Sequence, residues 1–207
     1  MTSGSSRAAR RAEGHKLSFI NMGGGFGIDY RTRRNRPVEE FSTAIVERLR
    51  GEDWDWQMEP GRWISAHAGV MLTRIIEVKR SGLRRFVIVD AAMNDLLRPA
   101  LYDAYHAIVP AVEPPPGEPT APVDVVGPIC ETGDTFAVQR HLPAVNAGEL
   151  LVIRSAGAYG AVMASTYNGR PLVPEVLVSG GDHAVVRRRV EAEEFMAFDA
   201  LPPWLAD

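Results

Sequence analysis

The first third of the chain alternates apolar runs with one amphipathic segment. Residues 17–22 are mostly apolar and lead into the glycine-rich residues 23–27, which predicts a strand followed by a turn. Apolar side chains recur at four-residue spacing within residues 38–50, the pattern of an amphipathic helix. A second strand is predicted at residues 54–58 and ends at a turn formed by residues 59–62. Strand, helix and strand in this order predict a βαβ unit, the repeat of parallel sheets and barrels.

Beyond residue 66 the pattern changes to short strands separated by turns. Residues 69–78 are largely apolar, and residues 86–89 form a compact run of β-branched character. Residues 95–108 favour a short helical or turn segment, and the proline-rich residues 110–122 a loop. Further strands are predicted at residues 123–126, 150–154, 175–178 and 183–188. We therefore expect an α/β unit followed by an all-β domain.

Composition narrows the class of protein without identifying a function. The 207 residues are 45% hydrophobic and 24% charged, as in ordinary globular proteins, and the net charge of −3 gives no reason to expect a nucleic-acid or membrane partner. No apolar run reaches the roughly 18 residues needed to span a bilayer. The arginine-rich first 15 residues lack the apolar region of a secretory signal. We expect a cytoplasmic location, with a transit peptide, a helix remnant or a displaced start site explaining that segment.

Two motifs lie at the predicted ends of the first two strands, where barrel residues face an active site. The backbone N–H groups of residues 23–25 could converge on a phosphate, or the glycines could form only a tight turn. Glu59 and Arg62, in the sequence Glu-Pro-Gly-Arg, could meet a ligand that carries both a protonated ring nitrogen and an anionic group. The alternative is a surface turn with a local ion pair.

Arg98 and Tyr102 are four residues apart, so a helix would place them on one face. A guanidinium beside a phenol can bind a carboxylate, although a surface arginine packed over a tyrosine ring has the same spacing. Tyr159 lies on a turn flanked by glycine within residues 157–160 and could either face a ligand or pack.

The single cysteine, Cys130, follows a predicted strand and begins the sequence Cys-Glu-Thr-Gly-Asp. Its acidic neighbours Glu131 and Asp134 favour a protonated thiol, which suits a proton donor better than a nucleophile. A buried, inert cysteine is the alternative. The five histidines have no metal-ligand spacing, so we expect no metal site.

Five motifs in this order resemble the diaminopimelate decarboxylases, which belong to the fold-type III, alanine-racemase-like enzymes that use pyridoxal 5'-phosphate (PLP). The resemblance extends from about residue 18 to residue 189. The motifs are Gly-Gly-Gly-Phe-Gly at 23–27, Glu-Pro-Gly-Arg at 59–62, Arg-Pro-Ala-Leu-Tyr at 98–102, Cys-Glu-Thr-Gly-Asp at 130–134 and Gly-Ala-Tyr-Gly at 157–160.

The resemblance implies a set of residues that bind PLP. Gly25 offers its backbone N–H to the phosphate, and Glu59 pairs with the pyridinium nitrogen, which keeps the ring an electron sink. Gly61 lies in the same turn as Glu59. The resemblance implies that Arg62 binds either phosphate or the substrate carboxylate, and that Tyr159 contacts both phosphate and substrate.

The resemblance also implies a substrate site and a reaction. Arg98, Tyr102 and Glu131 hold the substrate, and Cys130 acts as the acid near Cα in the partner subunit's site, which implies a homodimer with shared active sites. An arginine and a glutamate together suit a distal group that carries a carboxylate and an ammonium. This favours decarboxylation of meso-2,6-diaminopimelate to L-lysine over a reaction of ornithine or arginine.

The chain differs from the family pattern at the lysine that binds PLP. The family's Schiff-base lysine lies in a Tyr-Ala-x-Lys-Ala motif, and neither Lys16 nor Lys79 has that context. We expect residues 1–66 to be the C-terminal remnant of a PLP-binding (β/α)8 barrel, and residues 67–207 a β-sandwich or β-barrel-like domain. We predict that this chain alone does not decarboxylate. A non-catalytic fragment or split subunit, or an ornithine- or arginine-type decarboxylase, is the alternative.

Overall fold

The computed structural model describes residues 13–14, 18–32, 34, 37–51 and 55–205. Lys16 and most of the arginine-rich N-terminal segment lie outside the described residues. The chain divides into two compact units, Met1–Ser65 and Ala66–Asp207. In the described part of the chain, no helix is long and apolar enough to cross a membrane.

The first unit has the strand–helix–strand order that the sequence predicts. Its elements are β1 (Phe19–Asn21), α1 (Val38–Leu49), β2 (Asp55–Gln57) and α2 (Gly61–Ser65). Strands β1 and β2 pair in parallel, with Ile20 opposite Trp56. Helix α1 carries acidic residues in its first turn and Arg48 in its last, an arrangement that complements the helix dipole. Pairing continues just beyond the strand bounds, because the Met22 N–H donates to the Gln57 carbonyl at 2.9 Å.

The second unit is a mixed sheet followed by a hairpin and short helical segments. Its sheet strands are β3 (Met71–Ser81), β4 (Arg84–Val89), β5 (Ile108–Pro110), β6 (Ala121–Val126), β7 (Thr135–Leu142) and β8 (Leu150–Ile153). The other strands and α-helices described in this unit are α3 (Arg98–Tyr102), β9 (Glu175–Ser179), β10 (Asp182–Arg187) and α4 (Ala192–Met196).

The six sheet strands follow the order β5-β8-β3-β4-β6-β7. All neighbours are antiparallel except β4 and β6, which run parallel with Val87 opposite Val125. Every second residue of the central strands points into one apolar core, as the two-residue period of a strand requires. The core includes Ile75, Val87, Val89, Leu96, Val125, Phe136, Leu151 and Ile153.

Strand β7 is an element that the sequence pattern does not reveal. Its register against β6 shifts near Val125, and Gln139 has a left-handed φ of 51°. The buried carboxylate of Asp124 accepts the Gln139 N–H at 2.8 Å, which satisfies the backbone at this irregularity. The irregular pairing breaks the alternation of apolar and polar residues by which a strand is recognised.

Candidate functional site

The glycine turn of the first unit carries a run of consecutive backbone N–H groups. Gly23 and Gly25 have φ values of 70° and 87°, a conformation that glycine adopts without steric cost. The Gly23 N–H donates to the Asn21 Oδ1 at 2.7 Å. Among the described residues, the N–H groups of residues 24–27 make no hydrogen bond. Consecutive free amides of this kind can bind an anion.

Glu59 is joined to that turn through both its backbone and its side chain. Its N–H donates to the Gly23 carbonyl at 2.8 Å, and its Oε1 accepts the Asn21 Nδ2 at 2.5 Å. A Cβ on Gly24 would clash with the Glu59 carbonyl oxygen, so only glycine allows this approach. The ends of the two parallel strands thus place these amides beside an exposed, oriented carboxylate.

Gly61 and Arg62 begin helix α2 directly after Glu59. The Gly61 N–H donates to the Glu59 carbonyl at 2.8 Å, which forms a tight turn over Pro60. Gly61 and Arg62 are exposed within this unit. The turn therefore presents a carboxylate and a guanidinium three positions apart, as the sequence predicts.

Cys130 and Glu131 lie on the loop between β6 and β7, and both are exposed. The loop is built around the buried carboxylate of Asp134, which accepts the Ile129 N–H and the Met93 N–H, each at 2.7 Å. A Cβ on Gly127 would overlap this carboxylate. Burial raises the pKa of Asp134 despite these two hydrogen bonds. One side chain thus fixes the Cys130 loop against the segment that leads to Arg98.

Arg98 and Tyr102 are both in helix α3, but their environments differ. Arg98 is only 7% exposed, whereas Tyr102 is 62% exposed. The Arg98 Nη1 lies 3.0 Å from Nε2 of His106, which is itself 1% exposed. The guanidinium is therefore held by a buried imidazole, which the sequence pattern gave no reason to single out.

Tyr159 lies on a turn with unusual backbone geometry. Tyr159 and Ser155 have φ values of 61° and 58°, in the region that side chains other than glycine rarely occupy. The Ser155 hydroxyl contacts Nδ1 of His67 at 2.8 Å, and the Gly157 N–H donates to the Ala66 carbonyl at 3.1 Å. These contacts hold the strained turn and leave the Tyr159 side chain 42% exposed.

A polar network connects the segment before Arg98 to the chain after Tyr159. Arg170 donates to the Asn94 Oδ1 at 3.0 Å and lies 3.5 Å from the Asp95 carboxylate. Burial raises the pKa of Asp95, although the positive charge of Arg170 opposes the shift. The Asn94 side chain in turn donates to the Ser165 carbonyl at 2.9 Å.

A cavity of about 240 Å³ lies next to this network, and Tyr167 is in its wall. The Tyr167 hydroxyl donates to the Glu131 carboxylate at 3.4 Å. The other wall residues are Met93, Asn94, Leu97 and Ser165. Sequence reasoning missed Tyr167, Asn94 and Arg170, although Asn94 and Tyr167 flank two of the motifs that it found.

The glycine turn joined to Glu59 lies in the first unit, and the mixed sheet with the Cys130 loop lies in the second. Residues 27–157 match the family described as pyridoxal-dependent decarboxylase, C-terminal sheet domain. The chain belongs to this family.

Individual relatives of the chain carry a more specific name than the family does. The diaminopimelate decarboxylase of Zymomonas mobilis is 47% identical over 93% of this chain and 45% of its own length. That of Pseudomonas aeruginosa is 48% identical over 92% of this chain and 45% of its own length. The Helicobacter pylori enzyme, solved with L-lysine, has 38% identity and a TM-score of 0.84 over 93% of this chain and 47% of its own. The chain thus spans a little under half the length of these relatives.

Proposed function

We propose that this chain is the C-terminal part of a homodimeric, PLP-dependent decarboxylase that converts meso-2,6-diaminopimelate to L-lysine and CO2 in the cytoplasm. The joining of the glycine turn to Glu59 carries the proposal, because it supplies anion-binding amides and a carboxylate on one edge. We assign residues 1–66 to the remnant of a PLP-binding barrel and residues 67–207 to a β-sandwich or β-barrel-like domain.

The described residues fit the cofactor. The N–H groups of residues 24–27, Gly25 included, would hold the phosphate, and Arg62 and Tyr159 would add a positive charge and a hydroxyl. Glu59, oriented by Asn21, would keep a proton on the pyridine nitrogen. When bound, PLP supplies an electron sink for the negative charge left at Cα when CO2 departs. A carboxylate beside the ring nitrogen is the kind of protein group that tunes such a cofactor.

The second unit supplies the groups proposed to hold the substrate. Arg98 would bind the distal carboxylate, since a guanidinium matches the two oxygens of a carboxylate. Glu131 would bind the distal ammonium, with Tyr102 and Tyr159 adding hydroxyl contacts. Because ornithine lacks a distal carboxylate, the pair of Arg98 and Glu131 favours diaminopimelate. The names of the relatives support the same substrate.

Cys130 is the proposed proton donor. Its thiol is exposed on a loop that Asp134 fixes, so the thiol is available to a second subunit without unfolding of the loop. We propose that Cys130 delivers a proton to Cα after CO2 leaves, in the site of the partner subunit. Cys130→Ser should therefore lower turnover more than it lowers substrate affinity.

A chimera tests the proposal. Residues 18–205 of this chain would replace the matching part of the Zymomonas mobilis enzyme, to which this chain is 47% identical over 194 residues. We expect CO2 release from meso-diaminopimelate, little from ornithine, and a loss of about 100-fold on Glu59→Gln, within the range attributed to electrostatic groups in active sites. A folded, PLP-loaded chimera that is inert with diaminopimelate, or equally active with ornithine, would overturn the proposal.

A further inference from the structure

His106 lies in the core of the second unit between a guanidinium and a backbone carbonyl. Its Nδ1 is 2.9 Å from the Arg154 carbonyl oxygen, and its Nε2 is 3.0 Å from Nη1 of Arg98. The side chain is 1% exposed, so these two contacts are made away from bulk water.

The two partners determine the protonation of the ring. A carbonyl oxygen can only accept a hydrogen bond and a guanidinium can only donate one. Nδ1 must therefore carry the proton, and Nε2 must present its lone pair to Arg98. Burial lowers the pKa of His106, and the positive charges of Arg98 and Arg140 lower it further, which agrees with a neutral ring.

We propose that His106 is a positioning residue that fixes the plane of the Arg98 guanidinium for the carboxylate of the amino-acid ligand. This inference rests on the proposed function, which makes Arg98 a substrate-binding residue. A guanidinium is planar, so fixing one N–H also fixes the direction of the others. The backbone of Arg98 is anchored as well, because its carbonyl accepts the Ala104 N–H at 3.3 Å.

The second contact of His106 extends this role to the turn that carries Tyr159. The Arg154 N–H donates to the Ala107 carbonyl at 2.8 Å, which continues the pairing of β5 with β8 beyond the strand ends. The hydrogen bond from the His106 Nδ1–H to the Arg154 carbonyl adds one more contact, just before Ser155 with its left-handed backbone. One imidazole thus contacts both Arg98 and the backbone that leads into the turn of Tyr159.

Two substitutions separate positioning from a purely structural role. In His106→Gln the amide oxygen can occupy the place of Nε2 and still accept from Arg98. In His106→Asn the shorter side chain reaches only the position of Nδ1. It can therefore donate to the Arg154 carbonyl, but it presents no acceptor to the Arg98 guanidinium. Both variants remove the imidazole ring from the core, so we expect similar losses of unfolding free energy. A difference between the two variants in the Arg98 signals then reflects the contact with Arg98.

The first test is nuclear magnetic resonance of the full 207-residue chain. We expect the nitrogen shifts of His106 to show a proton on Nδ1 alone. Hindered rotation should resolve the Arg98 Nη signals in the wild type and in His106→Gln, but not in His106→Asn. A proton on Nε2 in the wild type, or unchanged Arg98 signals in His106→Asn, would overturn the inference without any ligand being added.

The second test titrates the same chain with L-lysine, with 1,5-diaminopentane as the control that lacks a carboxylate. We expect L-lysine alone to shift the Arg98 signals, with roughly tenfold weaker affinity in His106→Asn, the size expected for a lost hydrogen bond to a charged group. Affinity in His106→Gln should stay within about threefold of the wild type. Equal affinity in His106→Asn and wild type refutes the positioning role. Failure of L-lysine to affect Arg98 in any variant refutes the substrate role of Arg98, and leaves the protonation result standing.

Discussion

Asp134→Asn keeps the shape of a buried side chain and removes one of its two acceptor oxygens. The carboxylate accepts the Met93 N–H at one oxygen and the Ile129 N–H at the other, both at 2.7 Å. An amide has a single oxygen, and its NH2 group cannot accept. Whichever way the asparagine is oriented, one backbone N–H faces another donor.

The magnitude follows from the two groups affected. A lost hydrogen bond to a charged group costs about 1.5–3 kcal/mol, and a stranded buried donor about 1–3 kcal/mol. Both amides are only partly buried, so the values at the lower ends of these two energy ranges apply. Burial raises the pKa of Asp134, so removal of its charge offsets part of the loss. We expect the unfolding free energy to fall by about 2 kcal/mol, which lowers Tm by about 4–8 °C in a chain of this size.

Thermal unfolding and amide hydrogen exchange together check this expectation. Asp182→Asn, at an exposed position of β10, makes the same chemical change and should alter the unfolding free energy by less than about 0.5 kcal/mol. In Asp134→Asn the amide of Met93 or of Ile129 should lose its protection against exchange. If both amides stay protected, or if the two variants have the same Tm, the account of the Cys130 loop is wrong.

Three further predictions address other parts of the chain. Gly24→Ala should destabilise the first unit by about 1–3 kcal/mol and weaken PLP binding, because its Cβ would clash with the Glu59 carbonyl. Gly181→Ala, with open space around it and no assigned role, should do neither, and thermal unfolding and PLP fluorescence measure the two effects. Burial holds the pKa of His106 below its ordinary 6.5, so the unfolded chain binds a proton that the folded chain does not, and stability should fall as pH drops below about 6.5. His106→Gln should remove that pH dependence from urea unfolding curves. The chain mixed with PLP should show no stoichiometric Schiff-base absorbance band and release no CO2 from diaminopimelate. A stoichiometric band that borohydride converts into an adduct at a single lysine would contradict this.

The elements that the sequence predicts are those with local signals. Residues 38–50 carry a helical period, and the helix is found at Val38–Leu49. The glycines at 23–25 mark a turn that other residues would strain, and two of them have positive φ. Parallel pairing of β1 with β2 follows from the strand–helix–strand order. The helix and the glycine turn are decided by residues that are close in sequence.

The features that the sequence did not predict depend on contacts between distant segments. His106 and Arg154 are 48 residues apart, and Met93 and Asp134 are 41 apart. A histidine in a short loop carries no signal that it will be buried against a guanidinium. Helical spacing likewise placed Arg98 and Tyr102 together, but it could not show that packing buries only the first.

Three of the residues proposed to touch ligands, Cys130, Glu131 and Tyr159, lie on loops of the second unit. The backbone of a loop must find hydrogen-bond partners outside regular secondary structure. In the second unit those partners are buried side chains that are assigned no ligand. Asp134 accepts a backbone N–H of the Cys130 loop, and Asp124 accepts a backbone N–H at the bulge in β7. His106 donates to the backbone carbonyl just before the Tyr159 turn. A motif reveals the groups that perform chemistry because those groups are chemically distinctive. The direction in which they point is set by the buried acceptors and donors beneath them, so substitutions at Asp134 and His106 should test the geometry of the site more directly than substitutions at the exposed residues.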